Sequence, residues 1–578
     1  MEFHAQLDSA GAAARKQLIF FLLLFLSVPG RALSQAAPST ADRASEVKKL
    51  YDAGHWSDVV DAVPESPDEP ADLELYRGLA LAKLERWQEA KKTFEAGLVR
   101  NPRDTRFMVE LAGIAYREKQ FSTAKTELRR ALDINPQDGY ANDFLASIYF
   151  LEGNLEAALK YWNRAEKPRL EDLIFDPQPR LNPLLLDRAF AFSPGSEWRR
   201  DQFLTTQARL EGLDVFPHMR FDLEAQADGS FDLTFNGSER NGWGSSKWEG
   251  LISLLRGVPY LTLYPEFYNL GGGGLNWLSL VRWDDEKRRI STEIAAPLGE
   301  NPALRYRIYF DGRNENWDLS RTIVPSTPSP AGLNLEKAAA GVEIQWIASG
   351  RWQWRNGVEY SYRKFRSLAG IPGPAAPFFT NGSALALRSS LQRSLVRFPE
   401  RRFTLDSSVT GEVGTFFRNP LHQYGRIEAS LPADWLPQAR GDDYEMKAEL
   451  RGGRTFGKVP FDELLELGFD RDDALWLRGH PGYRNGEKGN APLGRNYVLT
   501  NWEINKIAYN NGLFTVRAGP FLDSGKIYDP SGFFGSPKWL WDTGMQAKIR
   551  LLGSFEFVLG YGKDLRSGNN SFFTAVSR

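Results

Sequence analysis

The C-terminal part of the chain alternates apolar and charged side chains with a period of two, and this pattern restricts the fold most strongly. It begins near Tyr260 and is clearest at 304–311, 352–363, 444–451 and 545–551. Successive side chains of a β-strand point to opposite faces, so each segment predicts a strand with one apolar and one charged face. Such strands fit either a soluble β-sandwich with the apolar face inside or a membrane barrel with the apolar face in lipid.

Strand length and aromatic content favour the barrel. The segments approach the ~9–11 residues that a tilted strand needs to cross a bilayer. Their apolar positions are rich in Trp and Tyr, as the aromatic girdles of such barrels are. Lipid offers no partner to an unpaired strand edge, and bacterial single-chain barrels have even strand numbers. We therefore predict a sixteen-stranded transmembrane antiparallel β-barrel over residues 258–578, with the lipid bilayer as its partner.

Composition narrows the possible functions. The chain of 578 residues has a net charge of −1, no cysteine and five histidines. Nucleic acid is therefore not an expected partner, because phosphate binding needs a basic excess. Thiolate metal sites and disulfides are excluded, and the G-x-S-x-G, H-E-x-x-H and Walker patterns are absent from the sequence. We predict no enzymatic activity, no cofactor and no metal, and we interpret Asp472 and Asp473 as a solvated loop.

The N-terminus has the pattern of an export signal. Arg15 and Lys16 precede an apolar run at 18–28, which ends before the small-residue segment Ala32-Leu33-Ser34. The run is too short for a membrane span of ~20 residues and has the length of a signal-peptide core. Residues 1–34 are therefore predicted to be a cleaved signal peptide.

A repeat of 34 residues covers 71–170. Its equivalent positions carry matching residue types: Gly78 with Ala112 and Ala146, Ala90 with Ala124 and Ala158, Phe94 with Leu128 and Trp162, Gly97 with Ala131 and Ala165, and Pro102 with Pro136. This pattern resembles the tetratricopeptide repeat, in which small residues let two helices pack closely and proline ends the second helix. With a degenerate half-repeat around Trp56, we predict a helical tetratricopeptide domain over 41–170. Its groove binds a periplasmic partner protein, or the domain is only a spacer.

A short module is expected between the repeats and the barrel. Residues 171–186 are Pro-rich and are predicted to be a linker. Within 187–257, Gln202–Leu213 forms an amphipathic helix and Asp228-Gly229 joins two alternating runs as a hairpin. A helix followed by a hairpin resembles a POTRA domain, and the alternative is an unrelated α+β linker domain.

Three short motifs carry a more specific resemblance. They are Leu477-Arg478-Gly479-His480, Asn501-Trp502-Glu503, and Phe521-Leu522-Asp523-Ser524-Gly525. In this order, with five predicted strands after Arg478, they resemble motifs of the BamA/TamA superfamily of outer-membrane assembly and secretion barrels. The resemblance covers about 190–578 and departs from the family at His480, where an aromatic residue is usual.

The resemblance and strand parity together predict one contact. Alternation places Asp523 and Glu503 on the inner face of the barrel, whereas Leu522 and Trp502 face outward. The family motif implies that the loop carrying Arg478 folds back into the lumen. The planar guanidinium of Arg478 can pair with both carboxylates there, and the resemblance implies that this contact stabilises the barrel.

The resemblance implies that the chain lies in the outer membrane of a Gram-negative bacterium, with its N-terminal region in the periplasm. It inserts outer-membrane proteins or translocates a client polypeptide. Three alternatives remain open at this stage: a polysaccharide-export porin with a repeat scaffold, a Slam-like exporter of surface lipoproteins, and a passive structural barrel.

Overall fold

The computed structural model describes residues 40–66, 68–323, 331–417, 421–512, 514–551 and 555–577. The predicted signal peptide, 1–34, lies outside these residues. None of the helices in the described ranges is long and apolar enough to cross a membrane.

The chain divides into two compact units. The first contains the residues up to Asp172 together with Pro194–Arg200 and Glu224–Asp232. The second contains Leu173–Ser193, Asp201–Leu223 and Leu233–Arg578. The boundary therefore runs through the region of the predicted module and not through a linker.

The described residues of the first unit contain eight α-helices, and consecutive helices pack against each other in pairs. They make four pairs, because the segment before Ala71, predicted as a half-repeat, forms two helices. The predicted tetratricopeptide fold is confirmed. The helices are α1 (Thr40–Asp52), α2 (Trp56–Ala62), α3 (Ala71–Lys83), α4 (Trp87–Arg100), α5 (Thr105–Arg117), α6 (Phe121–Ile134), α7 (Gly139–Leu151) and α8 (Leu155–Trp162).

The repeated small residues lie where helices approach each other. A Cβ atom on Gly78 of α3 would come within 2.3 Å of the Phe94 ring of α4, so only glycine fits there without a shift. Pro102 and Pro136 follow α4 and α6 directly, and both helices end two residues before the proline. The remaining predicted packing residues are all fully buried: Ala90, Phe94, Ala124, Ala131 and Ala158.

A three-stranded sheet follows the helices, and it changes the predicted boundaries. The predicted linker, 171–186, was wrong: it contains most of strand β1 (Leu170–Phe175) and the start of helix α9 (Pro183–Ala189). The Pro-rich composition indicated a loop, but the segment joins the hairpin as a third strand, and the Phe175 ring packs against Phe235 at 6.1 Å. The other elements are α10 (Arg200–Leu213), β2 (His218–Ala225) and β3 (Phe231–Ser238), in the sheet order β1-β3-β2.

The rest of the second unit is an antiparallel β-barrel, in which β18 lies beside β4 in the strand order. Helix α11 (Lys247–Leu255) precedes it. The first strand, β4, is interrupted at Tyr264-Pro265. The strands are β4 (Thr262–Leu263 and Glu266–Leu270), β5 (Leu275–Trp283), β6 (Lys287–Leu298), β7 (Asn301–Asp318), β8 (Gly332–Ser349), β9 (Trp352–Ala369), β10 (Gly382–Phe398), β11 (Phe403–Phe416), β12 (His422–Trp435), β13 (Tyr444–Gly457), β14 (Asn496–Asn510), β15 (Phe514–Tyr528), β16 (Leu540–Leu551), β17 (Phe555–Asp564) and β18 (Asn570–Ser577).

The predicted fold class is confirmed, but the strand count differs by one. The described wall has the fifteen strands β4–β18, whereas sixteen were predicted. Two further short pairs of strands belong to the long loop between β13 and β14. The segment before β4, where another strand could have stood, forms α11 instead.

The outer face of the barrel is apolar and the inner face is charged. In β8, Val342, Ile344 and Trp346 point outward and are 46–53% exposed, whereas Glu343 between them is 9% exposed. A soluble β-sandwich buries its apolar face, so this arrangement excludes the sandwich alternative. An outward apolar belt is the arrangement that a lipid environment requires.

Helix α10 packs on one end of the barrel, where the short turns at 299–300 and 350–351 lie. The carbonyl oxygen of Leu213, at the end of α10, accepts a hydrogen bond from Asn276 Nδ2 at 2.8 Å. The Thr205 hydroxyl accepts a bond from the Gly350 amide at 3.1 Å. A Cβ on Gly350 would lie 2.4 Å from the Leu204 backbone, so α10 packs closely on this turn.

The close approach at Gly78 gives a testable prediction. We expect Gly78→Ala to lower the free energy of unfolding of the helical unit by about 1–3 kcal/mol, because the added methyl group overpacks the Phe94 ring. Gly113, also inside a helix, has open space around its Cβ position, so Gly113→Ala should instead raise stability by up to ~1 kcal/mol. Urea unfolding of the full chain, followed by circular dichroism at the helical band, gives the free energy of unfolding of each variant and of the wild type. Equal stabilities would contradict this packing.

Candidate functional site

The loop between β13 and β14, residues 458–495, folds back into the barrel. Two apolar contacts hold its beginning: the Phe461 ring lies 4.9 Å from Trp317 of β7 and 5.1 Å from Phe379. Further along, Leu465–Glu466 pairs with Leu493–Gly494 and closes the loop on itself. The loop is therefore a packed element of the interior, which places its middle against the inner wall.

Arg478 lies at the centre of this loop and reaches three neighbouring strands. Its Nε and Nη2 atoms donate to the two carboxylate oxygens of Asp523 on β15, at 2.9 and 2.6 Å. Its Nη1 atom donates to Glu503 Oε2 on β14 and to Gln546 Oε1 on β16, both at 2.9 Å. Its backbone amide donates to Asp523 at 3.0 Å. The structure thus brings together the three charged residues that the sequence paired.

Burial makes these bonds energetically important. The Asp523 side chain is fully buried and Arg478 is 5% exposed. A buried carboxylate is tolerated only with full hydrogen bonding, and Asp523 accepts an additional bond from Asn501 Nδ2 at 2.7 Å. Glu503 accepts bonds from Lys548 and from Gln546 Nε2 as well as from Arg478. The two carboxylates, Asp523 and Glu503, are therefore matched by two cations, Arg478 and Lys548.

The other motif residues shape the surroundings of Arg478. Its guanidinium carbon lies 3.9 Å from the centre of the Phe521 ring, a cation–π geometry. A Cβ on Gly525 would approach the Leu467 side chain to 3.1 Å, so the loop lies close to β15. Leu477 is fully buried in a cluster with Leu467 and Leu499.

Gly479 and His480 contact two aspartates that the sequence did not single out. The Gly479 amide donates to Asp542 Oδ2 at 2.6 Å, and a Cβ on Gly479 would lie 2.7 Å from the Asp542 carboxyl carbon. His480 Nδ1 is 2.9 Å from Asp542 Oδ1, and its Nε2 is 3.6 Å from Asp564 Oδ2. Each ring nitrogen thus faces a different carboxylate, the arrangement that suits a protonated imidazolium.

The charge on His480 is set by opposing effects. Burial lowers the pKa of His480, but the hydrogen bond and charge of Asp542 and the charge of Asp564 outweigh it, so the pKa is raised above 6.5. Because the folded protein holds this proton more tightly, the contribution of His480 to stability is present at low pH. It is lost as the pH rises through the raised pKa.

Asp472 is not the solvated loop residue that the sequence suggested. Its side chain is 3% exposed and accepts bonds from Arg282 at 2.6 Å and Arg289 at 2.7 Å. Nearby, Lys488 of the loop lies 3.3 Å from Asp470. A run of two acidic residues indicated solvent exposure, but arginines on β5 and β6 recruit Asp472 into the interior.

Space remains beside the loop. A cavity of about 210 Å³ is lined by Arg289, Arg307, Tyr309, Arg313 and Lys337, together with fewer acidic groups. The interior is therefore partly filled, with a surplus of positive charge along one side. The helical unit has its own shallow groove, where Arg117 stacks over the Trp87 ring at 4.0 Å.

The comparison with family models matches the helical part of the chain. A tetratricopeptide repeat family model matches residues 75–139 and 114–171. No curated protein matches the chain.

Among the solved structures similar to the chain are β-barrel proteins and helical repeat proteins. BamA from Haemophilus ducreyi lacking POTRA domains 1–3 is 12% identical over 71% of this chain and 84% of that one, with a TM-score of 0.41. CdiB from Escherichia coli is 12% identical over 71% and 74%, with a TM-score of 0.45. MamA from Desulfovibrio magneticus is 15% identical over 22% of this chain and 75% of that chain, with a TM-score of 0.21. These likenesses concern the fold alone.

Removing the guanidinium should destabilise the barrel strongly. We expect Arg478→Ala to cost about 3–5 kcal/mol, because it leaves the buried Asp523 carboxylate without its partner. Arg478→Lys should lie between this variant and the wild type, since an ammonium cannot form the two-pronged contact. Urea unfolding of the lipid-reconstituted protein, followed by tryptophan fluorescence, measures the difference.

Arg288→Ala is the matched control, because Arg288 is 63% exposed and pairs with Asp285, which is 90% exposed. An exposed pair is worth at most ~1 kcal/mol, so this variant should unfold close to the wild type. If Arg478→Ala has the same free energy of unfolding as Arg288→Ala, the buried network does not hold the loop.

His480 should make stability depend on pH. We expect the wild type to lose stability relative to His480→Phe as the pH rises from 6 to 9, because only the wild type loses the imidazolium between its two aspartates. Thermal unfolding of both proteins over this range gives the measurement. A constant difference between the two melting temperatures would show that His480 does not titrate in this way.

Proposed function

We propose that this protein is an outer-membrane β-barrel that inserts outer-membrane proteins or translocates a polypeptide. The observation that carries the proposal is the buried network joining Arg478 to Asp523 and Glu503, on a loop folded into a barrel with an apolar outer face. A pore for small solutes has no need of three motifs that converge on one loop contact. The family that these motifs resemble implies handling of polypeptides.

The N-terminal region is proposed to act in the periplasm. Stacked tetratricopeptide helices present a groove suited to a partner protein or an unfolded client. The small module, which we propose to be POTRA-like, has β1 and β2 as the two edges of its sheet. An edge strand can bind an extended polypeptide through backbone hydrogen bonds, so the module offers a second place for client capture.

The loop is proposed to control the barrel. Its contacts to β14, β15 and β16 hold these strands in register near the end of the sheet. A client then leaves through the lumen or through the seam between the first and last strands. This mechanism invokes no nucleotide, metal or covalent chemistry.

The proposal is tested by comparing the outer-membrane and secreted proteomes with and without this gene. A fall in many barrel proteins would identify an insertase, and loss of one or a few surface or secreted proteins would identify a dedicated translocator. Complementation with Arg288→Ala should restore the wild-type pattern, whereas Arg478→Ala should restore it only in part.

The alternatives predict other outcomes. An unchanged proteome with altered surface glycan would favour polysaccharide export, and loss of lipoproteins alone from the surface would favour a Slam-like exporter. No change in protein or glycan would leave a structural role and would contradict the proposal.

A further inference from the structure

The odd number of strands determines the relative direction of the first and last strands of the barrel sheet. Each strand from β4 to β18 is antiparallel to the next one along the chain. With fifteen strands, β4 and β18 point in the same direction. The strand order makes them neighbours, so the two ends of the sheet meet as strands of the same direction.

The segment 241–261 lies along the edge of β4 that faces away from β5. Gly242 and Tyr268 exchange backbone hydrogen bonds of 2.8 and 2.7 Å at one end of the strand. The Tyr264 amide donates to the carbonyl oxygen of Leu254 at 3.1 Å towards the other end. The segment thus bonds to β4 at two places and runs antiparallel to it.

The length of α11 matches the strand beside it. Nine helical residues rise by ~13 Å at ~1.5 Å each, and the four steps from Tyr264 to Tyr268 rise by ~13 Å at ~3.3 Å each. The helix therefore spans the stretch of β4 between its two backbone contacts. It follows the strand instead of crossing it.

One face of α11 is polar and satisfied by buried partners. Glu249, 2% exposed, accepts a bond from Arg240 Nε at 2.8 Å. Ser253 donates to Glu266 of β4, and the Arg256 guanidinium bonds both oxygens of the same carboxylate, at 2.9 and 2.5 Å. This face belongs to the charged interior of the barrel.

The opposite face of α11 is apolar and exposed. Trp248, Leu251, Leu255 and Val258 follow the helical spacing of three and four residues and are 42–71% exposed. These side chains form a stripe that no other described part of the second unit covers.

This stripe is continuous with the apolar outer belt of the strands. The Trp243 ring, at the start of the segment, lies 5.5 Å from Phe267 of β4, and Phe267 lies 5.5 Å from Trp277 of β5. An aromatic row therefore passes from the segment across β4 to the outer surface of β5. Whatever covers the belt also covers the stripe.

The far end of the segment reaches the last strand. The Tyr260 hydroxyl donates to Thr574 Oγ1 of β18 at 2.6 Å. The guanidinium of Arg471, from the long loop, stacks over the Tyr260 ring and donates to the Thr574 carbonyl oxygen at 3.4 Å. The segment thus contacts the last strand as well as the first.

We infer that residues 241–261 lie along β4 where the barrel wall begins and ends, and that acyl chains of the bilayer cover the apolar stripe of α11. The inference rests on the proposed membrane location of the barrel. The two backbone contacts with β4, the Tyr260 contact with β18 and the continuous aromatic row support it.

Single-cysteine labelling tests the inference without a background signal, since the chain has no cysteine. Leu251→Cys and Leu255→Cys place a small fluorophore on the stripe. Val281→Cys, outward on β5, is the lipid reference, and Val99→Cys, 79% exposed on α4, is the water reference. Each labelled full-length protein is reconstituted in phosphatidylcholine vesicles with and without lipids that carry a nitroxide in the acyl chain.

We expect the nitroxide lipids to quench the labels at 251 and 255 at least ~2-fold, as at 281, with little quenching at 99. If 281 is quenched but 251 and 255 respond like 99, water, a second copy of the chain or another protein covers the stripe, and the inference is wrong. If 281 is unquenched as well, the membrane location itself fails and the inference fails with it. Neither readout depends on transport, so loss of transport alone leaves the inference standing.

Discussion

The two-pronged contact between Arg478 and Asp523 is the interaction on which the rest of the site depends. It lies where the loop meets the inner wall, and Asp523 is fully buried there. A buried carboxylate without its partner is costly, so the loop and β15 are fixed to each other. That anchoring positions Gly479 and His480 against Asp542 of the next strand and brings the Phe521 ring beneath the guanidinium.

The barrel interior is charged because the outer surface of the barrel is apolar. If the outward residues of each strand are apolar, alternation places the charged residues inside, where they need partners. The loop supplies several of them: Asp472 pairs with arginines of β5 and β6, and Lys488 with Asp470 stabilises the loop itself. The loop therefore completes the electrostatics of the wall, which explains why a segment without long strands is so deeply buried.

Much of this arrangement could be predicted from the sequence because it depends on local patterns. Periodicity placed the strands, and parity placed Glu503 and Asp523 on the side that Arg478 reaches. The third anchor, Gln546, could not be predicted, since an uncharged residue in an alternating strand gives no signal of its partner. The same holds for Asp542 and Asp564 beside His480. The predicted sixteenth strand is missing because 247–255 has a helical apolar spacing. The predicted linker, 171–186, was wrong for another reason: part of it joins a sheet whose other strands come 40 or more residues later in the chain.

A double-mutant cycle between Arg478 and Asp523 measures how strongly these two side chains stabilise each other. The free energy of unfolding is measured for the wild type, Arg478→Ala, Asp523→Ala and the double variant, all reconstituted in lipid. A buried pair should give a coupling energy of about 2–3 kcal/mol, so the double variant should lose that much less than the sum of the two single losses. Additive losses, with a coupling energy below ~0.5 kcal/mol, would contradict the account, since the loop would then be held by contacts other than this one.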